Sequence, residues 1–166
     1  MIAFCEDCGK KNPLNSLEFI AGKPAFRCAA CGCLSPYHFN PREALILDQA
    51  DGFFEESRAF PEILGSFLFH RELGVLKNHM PGLLKPSDLD FLGRHLADIY
   101  GSCQSGLDRV NEMALCVADK HMIVRILGEN LFLTIACTAP DLPRDLSANF
   151  SHPPPGACGK AGHHAG

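Results

Sequence analysis

The chain has 166 residues, 46% of them hydrophobic, which suits one ordinary domain with a small additional module. Its formal charge of −4 and pI near 6.0 provide no overall attraction to a polyanion, arguing against a general nucleic-acid or membrane-surface binder. Nine cysteines, an odd number, with nothing at Met1-Ile2-Ala3-Phe4-Cys5 resembling a secretory leader, argue against a disulfide scaffold and for a reducing, cytoplasmic setting.

Residues 1–35 read as a zinc ribbon. Two Cys-x-x-Cys knuckles, Cys5/Cys8 and Cys28/Cys31, are separated by residues 9–27, a spacing that suits four thiolates closing on one zinc ion. Gly9 and Gly32 follow the second cysteine of each knuckle, where a turn with positive φ is needed. Ile2-Ala3-Phe4 leads into the first knuckle as Ala25-Phe26-Arg27 leads into the second, so the two are built alike. Ser16–Ala21 and Ala25–Cys28 are expected as short strands around Gly22-Lys23-Pro24. So short a segment buries little core of its own, and a metal would supply most of its folding free energy, on the order of 10 kcal/mol.

Residues 36–61 form an expected linker with an acidic bias and one short helix, starting at Pro41 with Asn40 as cap and broken near Asp51-Gly52. Residues 62–139 read as an α+β domain. Ile63–His70 and Gly74–Asn78 predict a hairpin across Arg71-Glu72-Leu73. A helix follows, with Ser87 and Asp90 as a near capping box and Leu89, Leu92, Leu96, Ile99, Tyr100 and Cys103 at helical spacing, ended by Gly101 and Gly106. Three strands then close the domain as a meander: Val110–Ala118, with one fully buried face, His121–Leu127 and Asn130–Cys137. Residues 140–166, rich in Pro and Gly, are expected as a disordered tail.

The stretch Leu64-Gly65-Ser66-Phe67-Leu68-Phe69-His70-Arg71-Glu72-Leu73-Gly74-Val75, with Val110-Asn111-Glu112-Met113 and Asp119 through Leu133, resembles the roadblock/dynein light chain domain. That small α+β module also occurs in bacterial and archaeal regulators of Ras-like GTPases. The resemblance implies an antiparallel sheet with one main helix packed on it. It also implies a homodimer formed through Leu89–Cys103 and Val110–Val117, and a small Ras-like GTPase or other protein as partner. Family members usually carry a helix before the first strand and another after the last; here these would have to come from segments 42–59 and 145–150. Without them, one sheet face would be bare unless the ribbon, the linker or a partner covers it.

The metal ligands expected are Cys5, Cys8, Cys28 and Cys31, with Cys33 and His38 close enough in sequence to exchange in. Four cysteines leave no open coordination position, which points to a structural rather than catalytic zinc. Cys103, Cys116 and Cys137 fall on apolar positions and read as small core residues. Cys158, His163 and His164 lie in a tail that offers no preorganised site. His70, His79, His95 and His121 have no catalytic partner at motif spacing, and no glycine-rich phosphate loop is present. The expectation is therefore a non-enzymatic regulator or scaffold that contacts no membrane. Binding of nucleic acid through the ribbon is the alternative, on the strength of Lys10, Lys11, Lys23 and Arg27 beside Phe4, Phe19 and Phe26.

Overall fold

The computed structural model describes residues 1–14, 17–21, 23–106, 110–128, 130–143 and 146. The ribbon consists of two small antiparallel sheets, β1 (Ile2–Phe4) with β2 (Lys11–Pro13), and β3 (Glu18–Ile20), β4 (Lys23–Arg27) and β5 (Leu34–Pro36) in that order. Ser16 and Gly22, on the expected inner hairpin, lie outside the described residues.

Asn40 caps the next helix as its sequence suggests: its backbone is extended and its side chain accepts the Glu43 amide at 2.9 Å, with Pro41 in the first turn. The expected break at Asp51-Gly52 does not occur, and α1 runs Pro41–Ser57. Ala50, Phe53, Phe54 and Ser57 are all buried on one helical stripe, and that burial outweighs the cost of about 1 kcal/mol for an internal glycine.

A five-stranded antiparallel sheet follows, built from β6 (Ile63–His70), β7 (Gly74–Asn78), β8 (Glu112–Val117), β9 (Lys120–Ile126) and β10 (Leu131–Cys137) in the spatial order β7-β6-β10-β9-β8. The turn into β7 depends on Gly74, at φ +82. Between β7 and β8 lies α2 (Pro86–Gln104). It starts two residues earlier than a Ser87 cap suggested, with the cap at Lys85, whose amide donates to the Asp88 carboxylate at 3.0 Å. It also continues past Gly101 to Gln104. The hairpin, helix and meander thus follow the α+β order that the family resemblance implied, and α1 fills the place of the flanking first helix.

Register assigns each strand face. Phe67 and Phe69 of β6 lie beside Thr134 and Phe132 of β10, and with Leu89, Leu96, Ala97, Tyr100 and Val124 they make the α2-side core. On the other face, Leu68, Leu131, Leu133 and Ile135 pack with Phe53 and Phe54 of α1. The α1-side core also takes in Leu14 and Phe26 of the ribbon, so the ribbon packs on that side of the sheet and is not a detached satellite. Arg71 ties the hairpin turn to α2, donating to the Ala97 carbonyl at 2.7 Å.

Two further expectations change. Both faces of β8 are largely open, with Glu112, Ala114, Cys116 and Val117 exposed and only Met113 and Leu115 half-buried, because the helices lie chiefly over β7, β6 and β10, away from this edge strand. The segment after β10 is not structureless from Pro140: Leu142 is half-buried and Leu146 fully buried against the α1-side core. A lone leucine among prolines has no periodicity to announce it. The rest of segment 145–150, from which a last helix would have to come, and Cys158, His163 and His164, lie outside the described residues. Among those described, no helix is long and apolar enough to cross a membrane.

Candidate metal centre and open sheet edge

Each knuckle is a tight turn. The Gly9 amide donates to the Cys5 carbonyl and the Gly32 amide to the Cys28 carbonyl, both at 2.9 Å, with the glycines at φ +67 and +75. Cys5 N donates to Lys10 O and Cys28 N to Cys33 O, so the turns match bond for bond. Together they bring the sulfurs of Cys5, Cys8, Cys28 and Cys31 within 4.8 Å of one another, with Cys5–Cys31 and Cys8–Cys28 at 3.6 Å. A tetrahedral ion with metal–sulfur bonds of about 2.3 Å needs sulfurs about 3.8 Å apart, so the donor set can hold one metal ion. Cys33 is exposed and outside this cluster, and His38 sits on the surface 3.9 Å from Glu6.

Two buried polar side chains support the sulfurs from the opposite knuckle. Ser35 donates to Cys5 Sγ at 3.2 Å; Asn12 donates to Cys28 Sγ at 3.5 Å and accepts the Ala29 amide at 2.8 Å. Each stands four residues after the second cysteine of its own knuckle, and each pairs across a strand with the residue two before the first cysteine, Phe26 and Ala3 respectively. Aligning the knuckles as a repeat would have found both; metal-ligand spacing alone does not.

The electrostatics follow from these donors. The Ser35 hydroxyl, then the Cys8 amide, hold the Cys5 thiol below its usual range; the Cys31 amide leads several bonds that bring Cys28 down to about 6. Cys8 has the Lys10 amide to lower it, but burial and the three adjacent sulfurs outweigh that and push it up to about 12. Cys31, despite the Cys33 amide and the Cys8 sulfur that lower it, rises to about 11 through desolvation and its sulfur contacts with Cys28 and Cys5. Four such sulfurs share their negative charge comfortably only around a cation, which is the chemistry of a thiolate metal site.

The other histidines and cysteines singled out in the sequence are spread apart. Cys137 is buried, Cys103 half-buried and Cys116 exposed, so the expected core role does not hold for Cys116. His70 is fully buried in the sheet, while His95 stacks on Phe91 at 4.0 Å on the outside of α2. His79 packs on Phe54 and lies 3.2 Å from Arg58, beside a recess of about 380 Å³ between the end of α1 and the β6–β7 edge.

A second candidate surface is the free edge of β8. Met113, Leu115 and Val117 share the α2 face; α2 lies chiefly over β7, β6 and β10, so Met113 and Leu115 pack half-buried at the margin of the α2-side core and Val117 lies outside it. Val117 is 60% exposed, and Phe91 and Ile99 of α2 are 65% and 44% exposed.

No family model matches the chain, and no curated protein matches it. Among solved structures it is similar to an MglB with a tetrameric arrangement, at 22% identity and a TM-score of 0.47, covering 62% of this chain and 79% of that one. It is also similar to a roadblock/LC7 domain from Streptomyces avermitilis, at 17% identity and a TM-score of 0.46, covering 60% and 82%. A third is the gliding protein MglB from Thermus thermophilus, at 20% identity and a TM-score of 0.46, covering 60% and 76%.

Proposed function

We propose that this chain is a non-enzymatic regulatory or scaffold protein of the cytoplasm, held by one structural zinc ion and homodimerising through β8 and α2. The observation that carries the reading is β8 itself, a six-residue strand largely open on its faces and free along one edge, with apolar residues at five of its positions. Such an edge invites pairing with a second copy, and the exposed apolar residues of α2 extend the surface. An all-thiolate donor set with no open position supports zinc in a structural role. The family resemblance of the hairpin and meander makes a small Ras-like GTPase the partner to test.

Light scattering at micromolar concentration should give twice the monomer mass, and elemental analysis one zinc per chain. A monomer with intact zinc would sink the dimer. Iron, with visible thiolate-to-iron absorption, would sink the zinc assignment. GTP hydrolysis by candidate small GTPases, measured with and without the chain, decides the partner.

Nucleic-acid binding through the ribbon is the second reading, favoured by one contact: Lys11 Nζ lies 5.7 Å from the centre of the exposed Phe4 ring. Base stacking beside a cation is the arrangement such binders use. Salt-dependent binding to single-stranded RNA or DNA, abolished by Lys10→Glu with Lys11→Glu, would support it over the first reading.

A further inference from the structure

The ribbon does more than surround its metal site. Leu14 and Phe26 are nearly completely buried in the α1-side core, where Phe53, Phe54, Leu68, Leu73 and Leu76 are the domain's own contribution. Each is close in sequence to the sulfur site: Phe26 two residues before Cys28, Leu14 two residues after Asn12, which donates to Cys28. The α2-side core, by contrast, contains no ribbon residue among those described.

Ribbon strands of three to five residues have too few backbone bonds to persist alone, so the placement of Leu14 and Phe26 depends on the cross-link among the four cysteines. Emptying the site therefore withdraws two large apolar side chains from one face of the sheet and none from the other. We infer that metal occupancy gates the α1-side face of the domain: the loaded ribbon covers it, and the metal-free ribbon leaves it, exposing Phe53, Leu73 and Leu76. The occupant of that face is the chain's own ribbon, and the gate converts loss of the ion into newly exposed apolar surface while the α2-side core, with the β8 edge, stays formed. This inference rests on the zinc reading above.

The test uses the full chain loaded with zinc, under reducing conditions. Stripping with a zinc chelator should raise the fluorescence of a hydrophobic dye. It should also speed amide exchange by about tenfold or more in 1–38, 41–57 and the 70–76 turn, while peptides from α2 keep their protection. Adding zinc back should reverse both changes. Phe26→Ala, with all four ligands intact, should still bind zinc yet show the raised dye signal. Exchange that quickens only in 1–38 would overturn the gate, because the ribbon would then be a satellite. Loss of protection throughout, α2 included, would also overturn it, because the ion would then be a global staple. Failure of the chain to bind zinc at all removes the zinc reading, and the gate with it; a zinc-bound chain whose sheet face ignores chelation removes the gate alone.

Discussion

Gly93 of α2 sits so close to the ring of Phe69 on β6 that a Cβ at position 93 would lie 2.3 Å from Phe69 Cδ2. Phe69 is fully buried in the α2-side core, so the ring has nowhere to go. Gly93→Ala should therefore destabilise the chain, although alanine is the better helix former by about 1 kcal/mol. Overpacking costs of about 1–3 kcal/mol exceed that gain, and a lowered denaturant midpoint should show it. Pairing the change with Phe69→Leu should recover part of the loss; an unchanged midpoint in the single variant would mean the helix shifts freely on the sheet.

His70 links burial to pH. Its Nδ1 accepts the amides of Glu72 and Leu73 at 3.1 and 3.2 Å, and its Nε2 lies 3.7 Å from the Glu43 carboxylate. Burial lowers its pKa, and the opposing pull of Glu43 does not overcome it. A base whose folded pKa is depressed is held neutral by the fold. Its contribution is whole above the unfolded value of about 6.5 and is lost as pH falls below that value toward the folded one. Chemical denaturation from pH 7.5 to 5 should thus show stability falling with acid more steeply in the wild type than in His70→Asn, which keeps an acceptor near Nδ1 but does not titrate. His79, also lowered by burial and by Arg58, is present in both proteins and cancels. Parallel curves would mean that His70 does not report the pH change.

The hairpin was legible because its residues carry their own instructions: two apolar runs flank a glycine that takes positive φ, and β6 and β7 occupy the ranges expected, Ile63–His70 and Gly74–Asn78. The four cysteines were equally plain, since their spacing is local. Illegible features depended on partners remote in sequence. Gly52 and Asp51 look like a helix stop until Phe53 and Phe54 find the sheet. The alternation in β8 marked a strand but could not reveal that it lies at an edge. Ile99 recurs at helical spacing yet is exposed, because the stripe facing the sheet runs through Leu89, Gly93, Leu96, Ala97 and Tyr100. Leu14 and Phe26 looked like ribbon residues and are core residues of the neighbouring domain.

Ser35 and Asn12 should tune the metal site unequally. Ser35→Ala removes the hydroxyl that donates to Cys5 and accepts the Glu6 amide at 3.3 Å, but leaves the strands intact. Competition against a zinc chelator should show affinity lowered by about tenfold, the low end of what outer-shell partners contribute. Asn12→Ala also strands the Ala29 amide and frees a buried position, so its loss should be larger and accompanied by a lower melting temperature. Equal effects, or none, would mean that the backbone amides alone hold the sulfurs.

Val117 tests whether the open edge of β8 is where two copies meet. Its side chain is 60% exposed and makes no demand on the core, so Val117→Asp should leave the unfolding free energy, measured dilute enough that the chain is monomeric, within about 0.5 kcal/mol of wild type. Buried in a dimer, the 60% of valine still exposed there would gain about 1–2 kcal/mol, and a carboxylate adds a desolvation cost. Sedimentation should accordingly show dimer affinity weakened by about tenfold or more. Leu45→Asp is the matched control: Leu45 is 57% exposed but lies on α1, on the other side of the sheet, and its replacement should not change the association. If Leu45→Asp dissociates the dimer and Val117→Asp does not, the copies meet through α1 instead.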